Sequence, residues 1–305
     1  MTDLPSNVTL REVGLRDGIQ SLGAFISTEH KIELLEALGH TGLERIEATS
    51  FVSPRHVPQM ADAEEVISRV RRTPGVQYEA LVPNVRGAER AVASQVDAVV
   101  FVTAASDAFN QKNVQMTVEA SLGVAEQVAE RTRRAGLPIL AGIATSFGCP
   151  YSGDVPLSRL LSVIERLVEL GFSEIGLADT TGMANPLQVE RTLASVLDRF
   201  GERATFSLHF HNTRGMGLAN AVAGLRAGIT VFDASLGGIG GCPFAPRATG
   251  NISTEDTVHL FEEMGVSTGI DLERLIQVAQ RAQVILGFEL PGQVMKAGPV
   301  AHALA

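Results

Sequence analysis

The sequence predicts an α/β protein, a (β/α)8 TIM barrel with an extra C-terminal helix. Short apolar runs alternate with segments of helical period, the pattern of a parallel sheet with helices packed outside it. Eight such units fall within roughly the first 265 residues, the size of one closed barrel. The runs are mostly apolar along their whole length, as strands covered on both faces are. An open doubly wound sheet shares the alternation, but no GxGxxG follows the first run.

The first strand is read over residues 8–13 and ends in Gly14-Leu15-Arg16-Asp17-Gly18. The next helix carries Ile32, Leu35 and Leu38 on one stripe, with Ser27 or Thr28 as N-cap and Gly39 and Gly42 at its end. Further strands are expected at 43–48, at 77–82 before Pro83, and at 98–102. A long helix then buries Val118, Leu122, Ala125 and Val128 and stops at Gly136 and Pro138. The fifth strand is 139–144 and the sixth 174–178, separated by a helix carrying Leu160, Ile164, Leu167 and Val168. The seventh starts as Thr205-Phe206-Ser207-Leu208 and runs into His209-Phe210-His211-Asn212. A helix carrying Leu218, Val222 and Leu225 leads to the eighth, 230–236. Residues 272–287 read as one more amphipathic helix with Leu275, Val278, Ala279 and Ala282 on one face. No linker, low-complexity tract or charge block divides the chain. One domain over 1–305 is therefore expected, with 271–305 as C-terminal helix and capping tail.

Hydrophobic residues make up 45% of the chain and charged residues 19%, enough apolar material for a large core. The net charge of −9 argues against nonspecific nucleic-acid binding and against a basic membrane-binding face. It leaves room for an anionic small substrate in a local basic pocket. Cys149 and Cys242 lie far apart and form no CxxC pair, so a reducing compartment is favoured over a disulfide framework. No secretory signal is visible at Met1-Thr2-Asp3-Leu4-Pro5, and no apolar run would span a bilayer. A cytoplasmic protein is expected, with no membrane or nucleic-acid partner.

Active sites of such barrels lie at the C-terminal ends of the strands. Here those ends carry Arg16 and Asp17 (first), Glu47 (second), Asp179 (sixth), and His209 and His211 (seventh). The eighth runs into a glycine-rich loop with Cys242, followed by Asn251. Residues two apart on a strand share a face, so His209 and His211 set two imidazoles side by side. With Asp17, and with Asn251 adding an amide oxygen, they would suit Mg²⁺ or Mn²⁺. Each residue has a plainer role open to it. The histidines could be a core pair, Asp17 a turn residue, and Asn251 a helix flank before the Ser253-Thr254-Glu255-Asp256 cap. Arg16 could hold a carboxylate or stabilise an enolate, or simply form a strand-end ion pair. Glu47 and Asp179 could orient Arg16 or metal-bound water, or pair structurally. Cys242 could shuttle a proton or pack as a small hydrophobe. Cys149, with no His or acid beside it in sequence, reads as structural.

The runs Glu12-Val13-Gly14-Leu15-Arg16-Asp17-Gly18, Glu47-Ala48-Thr49-Ser50-Phe51-Val52-Ser53-Pro54, Gly148-Cys149-Pro150-Tyr151 and His209-Phe210-His211-Asn212-Thr213 carry a resemblance. So does Gly240-Gly241-Cys242-Pro243-Phe244-Ala245, followed by Ala248-Thr249-Gly250-Asn251. In order and spacing, over nearly the whole chain, they resemble the 3-hydroxy-3-methylglutaryl-CoA lyase family. That resemblance implies a barrel enzyme that cleaves a 3-hydroxyacyl-CoA to acetyl-CoA and a keto acid by a retro-Claisen step. It implies a divalent cation on Asp17, His209, His211 and Asn251, with Arg16 stabilising the departing enolate. Cys242 would act as proton donor or relay, and Glu47 and Asp179 would support the site. Asp17 and His211 both remain open as the group that takes the hydroxyl proton. An acyl-CoA substrate and a homodimer or higher homo-oligomer are the expected partners. Two stretches depart from the family. Ser21-Leu22-Gly23 replaces an Asn-Glu-Lys type run, and Asn212 and Arg214 stand where Asp and Tyr are usual. Arg214 could replace the missing basic charge near the acyl group. A citramalyl- or methylmalyl-type CoA thioester would use the same residues. A Claisen condensing transferase of the isopropylmalate or citramalate synthase type, and a non-catalytic barrel, are the competing readings.

Overall fold

Strand-forming runs and capped helices alternate along the chain, and the alternation closes on itself. The computed structural model describes residues 4–241 and 250–300. In chain order the main elements are β1 (Thr9–Glu12), α1 (Thr28–Gly39), β2 (Arg45–Ser50), α2 (Ala63–Arg69), β3 (Gln77–Leu81), α3 (Val85–Ala93), β4 (Ala98–Ala104), α4 (Asp107–Val114), α5 (Val118–Arg134), β5 (Ile139–Ala144), α6 (Leu157–Glu169), β6 (Glu174–Asp179), α7 (Pro186–Phe200), β7 (Thr205–Phe210), α8 (Gly217–Arg226), β8 (Val231–Ala234), α9 (Thr254–Glu263), α10 (Leu272–Leu286) and α11 (Val294–Ala297). All eight strands are parallel, each pairs with its neighbour in sequence, and β8 returns to β1. The expected (β/α)8 barrel is the fold, and α10 is the extra helix.

Local chemistry sets most helix starts. Ser27, Thr117, Asn185, Ser253 and Asp271 each accept a backbone N–H from the first turn of the helix that follows. Pro186 adds its fixed φ at the start of α7. The helices then bury one stripe each against the sheet, such as Leu160, Val163, Ile164 and Leu167 on α6. On α8 the buried face is Asn220, Ala221, Ala223, Gly224 and Leu225, while Leu218 and Val222 are only partly buried. The helix lies too close to β7 for large side chains: a methyl at Gly224 would come 2.2 Å from Leu208 Cδ1.

The lumen is only partly apolar. Ala98, Val100, Leu140 and the half-buried Val102 form a small cluster inside β4 and β5, separate from the main core. Opposite chemistry fills the rest. Arg11 donates to Asp233 (2.7 Å), Glu174 (3.1 Å) and Glu79 (3.3 Å), and Arg45 donates to Glu79 and Glu174, both at 2.6 Å. Barrels of this class more often fill these layers with branched aliphatics. Removing one member of such a buried set typically costs about 3–5 kcal/mol, because its partners are left charged and unpaired.

Two further buried carboxylates shape the β8 exit. Glu12 accepts from Gly14 N (2.6 Å), Leu236 N (2.8 Å) and Thr254 Oγ1 (2.6 Å). Glu255 accepts from Gly237 N with both oxygens (3.0 Å) and from the Ser253 hydroxyl. Two successive amides are thus held by two acids, and β8 stops at Ala234, short of the predicted 236, because Leu236–Gly238 turns into a single 3-10 turn with Gly237 at φ 62°. Burial pushes the Glu12 carboxyl up to about 7 and the Glu255 carboxyl up to about 8, against the pull of these donors. Both groups bind a proton more tightly folded than unfolded. Their stabilising effect is therefore complete below their ordinary value of 4.5 and is lost as pH rises through about 7 and 8. Glu255→Gln mimics the protonated acid. Its stability relative to the parent should rise from pH 5.5 with a slope of at most roughly 1.4 kcal/mol per pH unit and level off above about pH 8, with the melting-temperature difference following it. Thermal melts of both proteins across that range check this; a difference that stays flat or falls contradicts it.

Candidate active site at the barrel mouth

At the end of β1 the chain turns through Gly14–Gly18, a single π-helical turn in which Arg16, Asp17 and Gly18 N–H groups all point at Val13 O (3.1, 2.7 and 3.2 Å). Single π turns recur at functional positions. This one sets Arg16 and Asp17 side by side, with Arg16 Nη1 donating to Asp17 Oδ1 at 2.6 Å. The other edge of Arg16 donates to Glu47 Oε2, also at 2.6 Å. β7 ends at Phe210, and His211 continues it by an antiparallel bridge to Asn251. Asn212 N donates to Gly250 O and Ile252 N to Phe210 O, so 250–252 forms a short rail along the exit of β7. Glycine is required beside this rail. A methyl on Gly240, at φ 132°, would sit 2.6 Å from Asn251 Nδ2.

These local features converge on one point. His209 Nε2 and His211 Nε2 are 3.2 Å apart, and each is 3.9 Å from Asp17 Oδ2. Asn251 Nδ2 donates to Asp17 Oδ2 at 2.9 Å and to Ile239 O at 3.1 Å, while among the described residues its buried Oδ1 has no hydrogen-bond donor. Asp17, His209 and His211 thus form a group able to hold a metal ion, with ligand atoms within 4.8 Å of one another. Two imidazole nitrogens, one carboxylate oxygen and an undonated amide oxygen fit a divalent ion that accepts mixed nitrogen and oxygen ligands. Among the described residues no cysteine joins this group, so it lacks there the thiolates that mark a structural zinc site.

The electrostatics agree with that fit. Burial alone would raise the Asp17 carboxyl, but the Arg16 guanidinium and the two imidazoles hold it well below the usual carboxylate range. Burial lowers His209, yet the Asp233 and Asp17 carboxylates bring it above the ordinary histidine value. Glu47 is pushed up by burial despite Arg16 and Arg11 beside it, and among the described residues its Oε1 has no hydrogen-bond partner.

Arg16, Asp17, Glu47, His209, His211 and Asn251 are therefore brought together. Asp179 stands apart from this hydrogen-bonded set. Its oxygens take the amides of Met183 (2.7 Å) and Ala184 (3.0 Å), which folds the turn after β6, and burial raises it. Arg214 is exposed, with Nη1 donating to Thr181 O and Gly182 O. Cys242 lies outside the described residues. Cys149 is buried and takes the Ser106 hydroxyl at 3.1 Å. Sequence reasoning passed over Asp233, whose Oδ2 lies 3.1 Å from His209 Nδ1. Strand parity held the signal, since a lone acid on an apolar strand next to the histidine strand must face the lumen.

Among the described residues no helix is long and apolar enough to cross a membrane. A hydroxymethylglutaryl-CoA lyase of Bacillus subtilis is 44% identical over 289 residues, covering 95% of this chain and 96% of that protein. An (R)-citramalyl-CoA lyase of Chloroflexus aurantiacus is 46% identical, covering 96% of this chain and 95% of its own. Among solved structures, an HMG-CoA lyase from Acinetobacter baumannii in complex with coenzyme A and 3-methylmalate superposes with a TM-score of 0.93. It is 42% identical and covers 98% of both chains. The HMGL-like family model matches residues 7–281, and the chain belongs to that family.

Proposed function

We propose that this protein is a carbon–carbon lyase that cleaves 3-hydroxy-3-methylglutaryl-CoA, or a closely related hydroxyacyl-CoA, to acetyl-CoA and a keto acid. The observation that carries the reading is the meeting of Asp17, His209 and His211 beside the Arg16 guanidinium at the mouth of the barrel. The reaction removes the proton from a tertiary hydroxyl, breaks the adjacent C–C bond and leaves the electron pair on the thioester fragment as an enolate. The enolate then takes a proton on carbon. Asp17, His209, His211 and Asn251 would hold Mg²⁺ or Mn²⁺, which when bound supplies Lewis acidity to the substrate's oxygens. Arg16 places a fixed cation where the thioester oxygen gains charge, and Glu47 and Asp17 hold that guanidinium from two sides. Cys242 stands at the end of the glycine run as the proton donor to the enolate carbon. Asp179 acts indirectly, by shaping the turn after β6.

A second reading is a citramalyl-CoA-type lyase, which would use the same groups. It is favoured by the 46% identity to the Chloroflexus aurantiacus protein, and Ser21-Leu22-Gly23 and Arg214 leave the choice of acyl group open. The two readings differ in substrate alone.

The direct assay follows loss of 3-hydroxy-3-methylglutaryl-CoA beside citramalyl-CoA, with Mg²⁺ or Mn²⁺ and after chelation. Metal-dependent release of acetyl-CoA and acetoacetate from the first is expected; turnover of citramalyl-CoA alone would move the assignment to the second reading. Failure of the metal-loaded protein on both would overturn the lyase function. His209→Ala should abolish metal-dependent turnover and the binding of Mn²⁺ seen by electron paramagnetic resonance. A fully active variant would remove His209 from the ligand set. Arg16→Gln should lower kcat by about 10²–10³-fold, the size of losing one main charge-stabilising donor, with a smaller change in KM. An unchanged kcat in a protein that melts cooperatively would refute that role.

A further inference from the structure

The ionic chain in the lumen ends at the histidine pair. Arg11 and Asp233 are register partners between β1 and β8, and Asp233 and His209 are register partners between β8 and β7. The three side chains therefore lie in one row around the barrel wall. Asp233 Oδ1 accepts from Arg11 Nε and lies 2.7 Å from its Nη2, while Oδ2 faces His209 Nδ1 at 3.1 Å. Arg11 is fixed in turn, since its Nη1 is held by Glu79 and Glu174 and both of those acids are held again by Arg45. Of the three carboxylates in this chain, Asp233 is the one that Arg45 does not bond among the described residues. Its second oxygen goes to the histidine instead. Two guanidiniums face three carboxylates, so one negative charge is left over, and the geometry leaves it on the His209 side.

We propose that Asp233, clamped by Arg11, is the positioning group for His209 as a metal ligand. A neutral imidazole carries one N–H. A carboxylate at Nδ1 fixes that hydrogen there and leaves the lone pair on Nε2, the atom that faces His211 Nε2 at 3.2 Å. The same contact fixes the plane of the ring and makes Nε2 a stronger donor. Arg11 keeps Asp233 from turning toward the mouth, where it would compete with Asp17 for the cation. The buried ion network is thus an orienting device for one ligand as well as filling for the barrel. This role rests on the metal-site reading above.

The test measures Mn²⁺ binding to metal-stripped protein by electron paramagnetic resonance, beside thermal melts. Asp233→Asn should bind Mn²⁺ about 10- to 100-fold more weakly, the usual effect of losing a carboxylate behind a ligating histidine. Arg11→Lys keeps the charge but loses the fork that grips Asp233, and should weaken binding to a smaller degree. Arg45→Gln disturbs Glu79 and Glu174, one step further from Asp233, which Arg45 does not bond; it should lower the melting temperature and weaken Mn²⁺ binding less than Arg11→Lys does. If Asp233→Asn does not fold, the contrast between Arg11→Lys and Arg45→Gln carries the test. Parent-like Mn²⁺ affinity in Asp233→Asn, or equal losses in Arg11→Lys and Arg45→Gln, would overturn the proposal. A parent protein that binds no Mn²⁺ would overturn the metal site itself and this role with it, an outcome read before any variant is made.

Discussion

Two imidazole nitrogens 3.2 Å apart are the constraint to which the rest of the mouth answers. Lone pairs facing one another at that distance repel unless a proton or a cation lies between them. Asp17 Oδ2, 3.9 Å from both nitrogens, adds a negative charge to the same space. A buried carboxylate and two imidazoles in van der Waals range would be a poor arrangement for stability alone. The surrounding structure nevertheless enforces it. The π turn fixes Asp17, the rail at 250–252 fixes the exit of β7, and the glycines at 240 and 250 let that rail approach. A π turn and a glycine at φ 132° depart from ordinary local geometry at this point, where function is expected to override local rules.

The charges around the site are arranged so that no oxygen of Asp17 is wasted. Oδ1 takes Arg16, and Oδ2 takes Asn251 and faces the histidines. Arg16 cannot follow Asp17 toward a cation, because Glu47 holds its opposite edge. A guanidinium fixed between two carboxylates stays charged and stationary. That is the requirement for stabilising negative charge that appears only during the reaction.

Much of the fold was legible because alternation and helix caps are local signals. Strand parity put His209 and His211 on one face, and the barrel rule moved Arg16, Asp17 and Glu47 to the same end. What stayed hidden depends on contacts between distant residues. Arg11 and Asp233 are 222 residues apart, and each reads in its own strand as one polar residue among apolar ones. The π turn at Gly14–Gly18 has no propensity signature distinct from an ordinary Asp-Gly turn. Of Leu218, Val222 and Leu225 on α8, Leu225 is buried while the other two are only partly so, since periodicity cannot tell how near a helix sits to its sheet. The small residues Ala221 and Gly224 were the better guide to close packing. Asp179 ends its strand as the other site acids do, yet two amides just beyond it take its oxygens, a local bond that strand position does not reveal.

The same packing argument bears on where substrate choice can reside. The residues proposed to hold the cation and the enolate are tied into the barrel wall by register and by buried ion pairs, so they cannot vary without dismantling that arrangement. Arg214 is placed differently. It is exposed, and one of its nitrogens ties the β7 exit to the carbonyls of Thr181 and Gly182 on the β6 turn, which Asp179 shapes from within. Changing it alters the rim and its charge while the ligand row Arg11–Asp233–His209 stays intact. Ser21-Leu22-Gly23 likewise lies beyond the π turn and outside the set of residues hydrogen-bonded to Asp17. Relatives that act on different hydroxyacyl thioesters are expected to differ at such rim positions and to share the wall. In this chain the departures noted from sequence fall on the rim.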